Sequence, residues 1–96
     1  MSVYVDLVTT YPQARIAAPA RRHGQDWCHM WADTEAELHA MADRIGLSRR
    51  YVQDANNDLL RHYDLVPSMR RLAVAAGAAE MSWRDWYRER KASSSR

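Results

Sequence analysis

The stretch from Thr34 to Leu47 constrains this chain more than any other. Thr34 stands where an N-cap hydroxyl is wanted, and Glu37, three residues on, completes a capping box. Leu38, Met41, Ala42 and Ile45 then follow an i, i+3, i+4, i+7 pattern. Gly46 suits the left-handed residue that ends a helix, with Leu47 as the apolar contact that folds back. The spacing therefore predicts an amphipathic helix with one apolar face, and such a helix needs a second element to cover it.

Strands supply that cover. Residues 3–8, Val-Tyr-Val-Asp-Leu-Val, are β-branched and aromatic and read as a first strand. Trp27 to Ala32 reads as a second, with Trp27, His29 and Trp31 on one face and Cys28, Met30 and Ala32 on the other. A strand of that kind is expected to be covered on both faces. Between the two, residues 11–26 carry Pro12, Pro19 and Gly24 without a sustained period, which predicts a long surface loop. The loop is long enough for a parallel crossover but does not require one. If the strands run parallel, Asp6 and Asp33 share a carboxyl edge, where open α/β sheets bind ligands.

Further along, Tyr51-Val52-Gln53 reads as a short strand and Asp54 to Asp58 as a turn. A second helix begins near Pro67, with Met69, Leu72, Ala73 and Ala76 apolar and Gly77 as its stop. Ala78 to Met81 reads as a brief strand. Ser82 can cap a third helix carrying Trp83, Trp86, Tyr87 and Arg90 along one side. The expected fold class is α/β: a small sheet of about three to four short strands with about three helices packed on it. One domain spans 1–91, and 92–96 is expected to be a disordered tail.

Composition sets the outer limits. A chain of 96 residues supports one modest core, which excludes a separate cofactor domain. Its longest uncharged apolar run, Leu72 to Ala79, falls far short of the roughly 20 residues needed to span a bilayer. Residues 1–10 contain Asp6 and no basic cluster, so they do not read as a signal peptide. A single cysteine, Cys28, excludes an intrachain disulfide and a multi-cysteine metal knuckle. The cytoplasm is the expected compartment. Net charge is only +2, but of thirteen arginines and one lysine, ten gather in clusters at 21–22, 49–50, 70–71 and 84–91. Solvated faces are the plain explanation of such clusters; arginine forks for phosphate are the functional one.

The motifs taken together resemble a family. Val-Tyr-Val-Asp at 3–6, Cys-His-Met-Trp-Ala-Asp-Thr at 28–34 and Glu-Leu-His-Ala-Met-Ala-Asp-Arg-Ile-Gly at 37–46 form one half. Tyr51-Val52-Gln53, His62-Tyr63-Asp64-Leu65 and the run from Ser68 to Ala78 form the other. In order and spacing, residues 3–82 resemble the bacterial and phage family called domain of unknown function 4031. That resemblance implies a small cytoplasmic protein of phage or prophage origin and brings no activity with it. The sequence departs from the family pattern in its longer 11–26 loop and in Met69, which stands where a lysine commonly precedes the arginine matching Arg70.

Several side chains can carry chemistry. His39 and Asp43 stand four apart on the first helix, and His62 and Asp64 two apart, spacings that can chelate a metal. No HExxH and no cysteine–histidine pairing accompanies them, so the set is read without a metal or cofactor. His39 beside the apolar stripe reads as a boundary residue bonded to backbone. Asp64 can serve as a helix cap instead of a functional carboxylate. Acid–base pairs of His62 with Asp64, or His29 with Asp33, are open. Cys28, in an apolar strand, reads as an inert thiol. Aromatic faces at Trp27, Trp31, Tyr51 and Tyr63 lie in segments next to arginines, an arrangement suited to stacking a base and gripping a phosphate. Core packing explains the same aromatics.

The candidate ligand-binding set is Asp6, His29, Asp33, His39, Arg50, His62, Tyr63, Asp64 and Arg70. The leading expectation is a non-catalytic module that captures a small anionic, nucleotide-like ligand, such as a signalling nucleotide. The alternative is a small His/Asp-dependent hydrolase or phosphoesterase. A weaker one is a DNA-binding accessory protein acting through Arg70-Arg71 and the last helix. Trp83, Trp86 and Tyr87 form either the lid of the core or a homo-oligomer interface.

Overall fold

The computed structural model describes residues 2–10 and 26–94. The long loop expected at 11–26 lies almost wholly outside the described residues. Among the described residues, five strands and three helices form a mixed α/β domain: β1 (Val3–Val5), β2 (Thr9–Thr10), β3 (Asp26–Ala32), α1 (Glu35–Ile45), β4 (Tyr63–Leu65), α2 (Pro67–Ala75), β5 (Ala79–Glu80) and α3 (Trp83–Ser94). β3 is the spine. β1 and β4 both run antiparallel to it and both pair with Met30, so they occupy opposite edges. β2 adds to the start of β3, and β5 lies parallel to β1.

The antiparallel register settles where the two strand-end carboxylates go. Val3 faces Ala32 and Val5 faces Met30. Asp6 therefore lies beside His29, while Asp33 lies beside Ser2, at the other end of β1. The shared carboxyl edge that a parallel pair would create does not form, and Asp6 and Asp33 do not converge.

Side-chain alternation sorts the sheet into two faces. Val3, Val5, Cys28, Met30, Ala32, Tyr63 and Leu65 face a core completed by Leu38, Met41, Ala42 and Ile45 of α1 and Ala73 of α2. Burying each large side chain there contributes about 1.5–3 kcal/mol. The opposite face carries Tyr4, Trp31, His29 and Asp64, and α3 covers it. Trp83 stacks on Trp31 with ring centroids 5.5 Å apart, and Trp86 meets Trp31 edge-on. β3 is thus covered on both sides, as its sequence predicts, and Trp83 and Trp86 serve as the lid of that second layer.

Local chemistry fixes the helix ends. The Thr34 hydroxyl accepts the Glu37 N–H and Gly46 adopts φ 82°, so α1 begins and ends where its sequence predicts. Ser82 caps α3 by accepting the Asp85 N–H. That helix continues to Ser94, through residues expected to form a tail. α2 starts at Pro67 after Val66, which makes no side-chain cap, so Asp64 is a strand residue and not a helix cap. Residues 49–51 form a single 3-10 turn in place of the expected strand; the Ser48 hydroxyl accepts the Arg50 N–H and starts it. Only Gln53 of that segment pairs, in an isolated bridge with His62.

Candidate functional site

Two histidines and two carboxylates converge under α3. The β3–β4 register sets His29 directly opposite Asp64, and His62, two residues before Asp64, projects from the same face. One nitrogen of each imidazole and one Asp64 oxygen lie within 4.8 Å of one another. Asp6 arrives from the end of β1. Its Oδ1 accepts the His29 backbone N–H, and its Oδ2 meets His29 Nδ1 at 2.8 Å. His62 Nδ1 bonds the Leu60 carbonyl at 2.7 Å, and His62 Nε2 stands 3.4 Å from Asp64 Oδ1.

These partners dictate the tautomers. A carboxylate and a carbonyl are acceptors, so each Nδ1 carries its proton toward its partner. The nitrogen each ring has left is Nε2. A ring so held has a fixed orientation. Burial alone would lower the His62 pKa, but its bonds to Asp64 and to the Leu60 carbonyl outweigh that and raise it.

The surroundings are aromatic and charged. Trp83 lies 4.7 Å from His29 and 4.8 Å from His62, ring centre to ring centre. Its indole N–H is buried and has no acceptor among the described residues. Arg70 buttresses the floor, donating from Nε to the Asp6 carbonyl and from Nη2 to Glu80, both at 2.8 Å. The cluster is open to solvent on the Asp64 side, whose side chain is 42% exposed.

Of the nine candidate residues, then, Asp6, His29, His62, Asp64 and Arg70 belong together. The other four lie apart. Tyr63 points to the core face because strand neighbours alternate, so the His62-Tyr63-Asp64 tripeptide is divided by the sheet. His39 bonds the Tyr63 hydroxyl at 2.7 Å and approaches Glu35, a side-chain partnership and not the expected bond to backbone. Asp43 pairs with Arg49, not with His39. Arg50 lies over the ring of Tyr51 in the exposed 3-10 turn. Trp31 and Tyr63 are fully buried, and core packing, not base stacking, accounts for both.

Asp33 anchors a separate network. It accepts from the Tyr4 hydroxyl, the Trp86 indole, the Ser2 N–H and Arg90. Partial burial pushes its carboxyl up, but these donors outweigh burial and hold it below the ordinary carboxylate range. The His29–Asp33 pair considered from sequence is replaced by His29–Asp6, a consequence of the antiparallel register. An open cleft of about 510 Å³ borders this network between Asp33, Glu35, Asp58 and Arg61. Cys28 is buried, and desolvation pushes its thiol up to about 12, which agrees with an inert thiol.

The contributions of Trp83 and of the Leu60 carbonyl had no sequence signal. The His62/Asp64 spacing did have one: residues two apart on a strand share a face. Among the described residues, no helix is long and apolar enough to cross a membrane. Comparison with curated proteins and with solved structures gave no match. Residues 13–93, a stretch that begins after β1 and runs into α3, match the family described as Protein of unknown function (DUF4031), and the chain belongs to that family.

Proposed function

We propose that this protein is a small hydrolase of the phosphoesterase type. His29, His62 and Asp64 activate water against an anionic ester, and Asp6 orients His29. The observation that carries this reading is the 2.8 Å contact between Asp6 Oδ2 and His29 Nδ1, which leaves Nε2 as the working nitrogen beside a second histidine and a carboxylate. A carboxylate behind an imidazole fixes its tautomer and its orientation. A pocket that merely holds an anion has no need of such a device.

The test is release of nitrophenol from mono- and diester phosphate substrates, with an acetate ester for comparison. Turnover that disappears in His62→Ala, with the circular dichroism spectrum retained, supports the reading. Absence of turnover on all three esters, with the protein folded, removes it.

A second reading, capture of a nucleotide-like anion without turnover, is supported by the raised His62 pKa beside the ring of Trp83. A cation and an aromatic face together suit a phosphate and a base. It predicts thermal stabilisation by nucleotides with no product formed. The cytoplasmic setting, the phage or prophage origin and self-association through α3 stand with either reading as expectations; for the last, Trp83 and Tyr87 are the aromatics of α3 left half-buried while Trp86 is buried.

A further inference from the structure

We propose that the water-activating group at this site is a divalent transition-metal ion of the zinc class, bound by His29 Nε2, His62 Nε2 and an Asp64 carboxylate oxygen. The inference rests on the same cluster as the hydrolase reading and names its cofactor. Two neutral imidazoles and one carboxylate form a three-ligand set that leaves a coordination position open to water, the arrangement of catalytic rather than structural zinc. A metal held this way lowers the pKa of its water to about 7 and so makes hydroxide available at neutral pH.

Three observations support the assignment. One nitrogen of each imidazole and one Asp64 oxygen already lie within 4.8 Å of one another. Ligands of a tetrahedral zinc ion stand about 3.2–3.5 Å apart, given bonds of about 2.0–2.1 Å. The triangle must therefore close by up to about 1.5 Å, and Asp64, whose side chain is 42% exposed, is free to supply the carboxylate's share of that movement by rotation. Both imidazoles have Nδ1 tied behind them, one to the Asp6 carboxylate and one to the Leu60 carbonyl. Metal-ligating histidines are oriented by partners of these two kinds. Finally, among the groups in contact, Asp6, Asp64 and Glu80 bring three negative charges against the single one of Arg70, a field that favours a dication. The soft ligand Cys28 faces the other side of the sheet and takes no part.

The experiment is titration of the chelator-stripped, full-length protein with zinc chloride by calorimetry, repeated with cobalt chloride while recording visible absorption. One equivalent is expected to bind, with the d–d bands of four-coordinate cobalt. Asp64→Asn and His62→Ala are each expected to weaken binding at least tenfold. Asp6→Asn, whose side chain touches no metal, is expected to weaken it by about 10–100-fold. His39→Gln, on the opposite face, should bind like the parent. Because Asp64 is surface-exposed, its variant keeps the test alive if His62→Ala fails to fold.

No stoichiometric binding by the parent chain, or unchanged affinity in Asp64→Asn, would overturn the assignment. The two readings fail separately. Ester hydrolysis that persists in excess chelator sinks the metal and leaves the hydrolase. Tight binding that depends on Asp64, without turnover of any ester, keeps the metal and sinks the hydrolase.

Discussion

The Asp6 carboxylate holds His29 at two points: one oxygen accepts the backbone N–H at 2.6 Å, and the other meets ring Nδ1 at 2.8 Å. The first contact ties the end of β1 to β3, and the second sets the imidazole. Asp6→Asn separates them. The amide oxygen can still accept the backbone N–H, but its NH2 then faces Nδ1 and forces the ring proton onto Nε2. Hydrolysis is expected to fall by about 10²–10⁴-fold, the range seen when a catalytic imidazole is held in the wrong tautomer. The midpoint of thermal unfolding should move little. Nitrogen-detected NMR of the ring, read beside kcat/KM, checks both halves; an unchanged rate would contradict the role given to Asp6.

Asp33 makes acid stability readable. Its carboxyl is held below its ordinary value in the folded chain. The stability it contributes is therefore fully present above its unfolded pKa, near 4, and is lost as pH falls through the lower folded value. Asp33→Asn should lower stability at neutral pH by about 1–2 kcal/mol, or roughly 5–15 °C in melting temperature. It should also flatten the acid limb of the stability curve. Melts of both proteins from about pH 7 to about pH 3 test this; parallel acid limbs would remove Asp33 as the cause.

Gly46 and Gly77 both adopt positive φ, at 82° and 112°, and an added Cβ at either meets nothing within 4 Å. Any cost of substitution is thus backbone strain rather than collision. Gly46→Ala should destabilise by about 1–2 kcal/mol, and Gly46→Asn by less, because asparagine tolerates the left-handed region. Gly77 lies beyond that region, so alanine and asparagine should be equally costly there. Urea midpoints of the four variants decide it; asparagine rescue at Gly77 would be the contrary result.

Cys28 should behave as a buried hydrophobe. With its thiol pushed up to about 12, almost no thiolate exists at neutral pH. Alkylation is expected to be slow in native buffer and to keep pace with global unfolding as urea rises. Rapid modification of the folded chain would show an opening that the packed sheet does not provide.

Much of the fold was legible because its signals are local. The capping box of Thr34 and Glu37, the helix stop at Gly46 and the alternation in β3 act over a few residues, and each appears as read. The 3-10 turn at 49–51 was hidden because the Ser48 hydroxyl competes for the backbone N–H of a segment with strand-like composition. The site was half legible. The i, i+2 spacing placed His62 with Asp64, but which carboxylate joins His29 depended on strand direction. That direction is fixed by pairing across a long loop, and no local pattern encodes it. The aromatic residues divide for a related reason: neighbours in sequence on a strand point to opposite sides of the sheet, so Tyr63 and His62 serve opposite faces.

His29 touches Asp6 on one side and Trp83 on the other, residues drawn from opposite reaches of the sequence. The pairing of β1 and β4 with β3 and the docking of α3 must already be in place. No fragment and no half-folded intermediate carries the complete cluster, so chemistry and native structure should appear and vanish together in any denaturation experiment. Activity, in such a chain, doubles as a certificate that folding has finished.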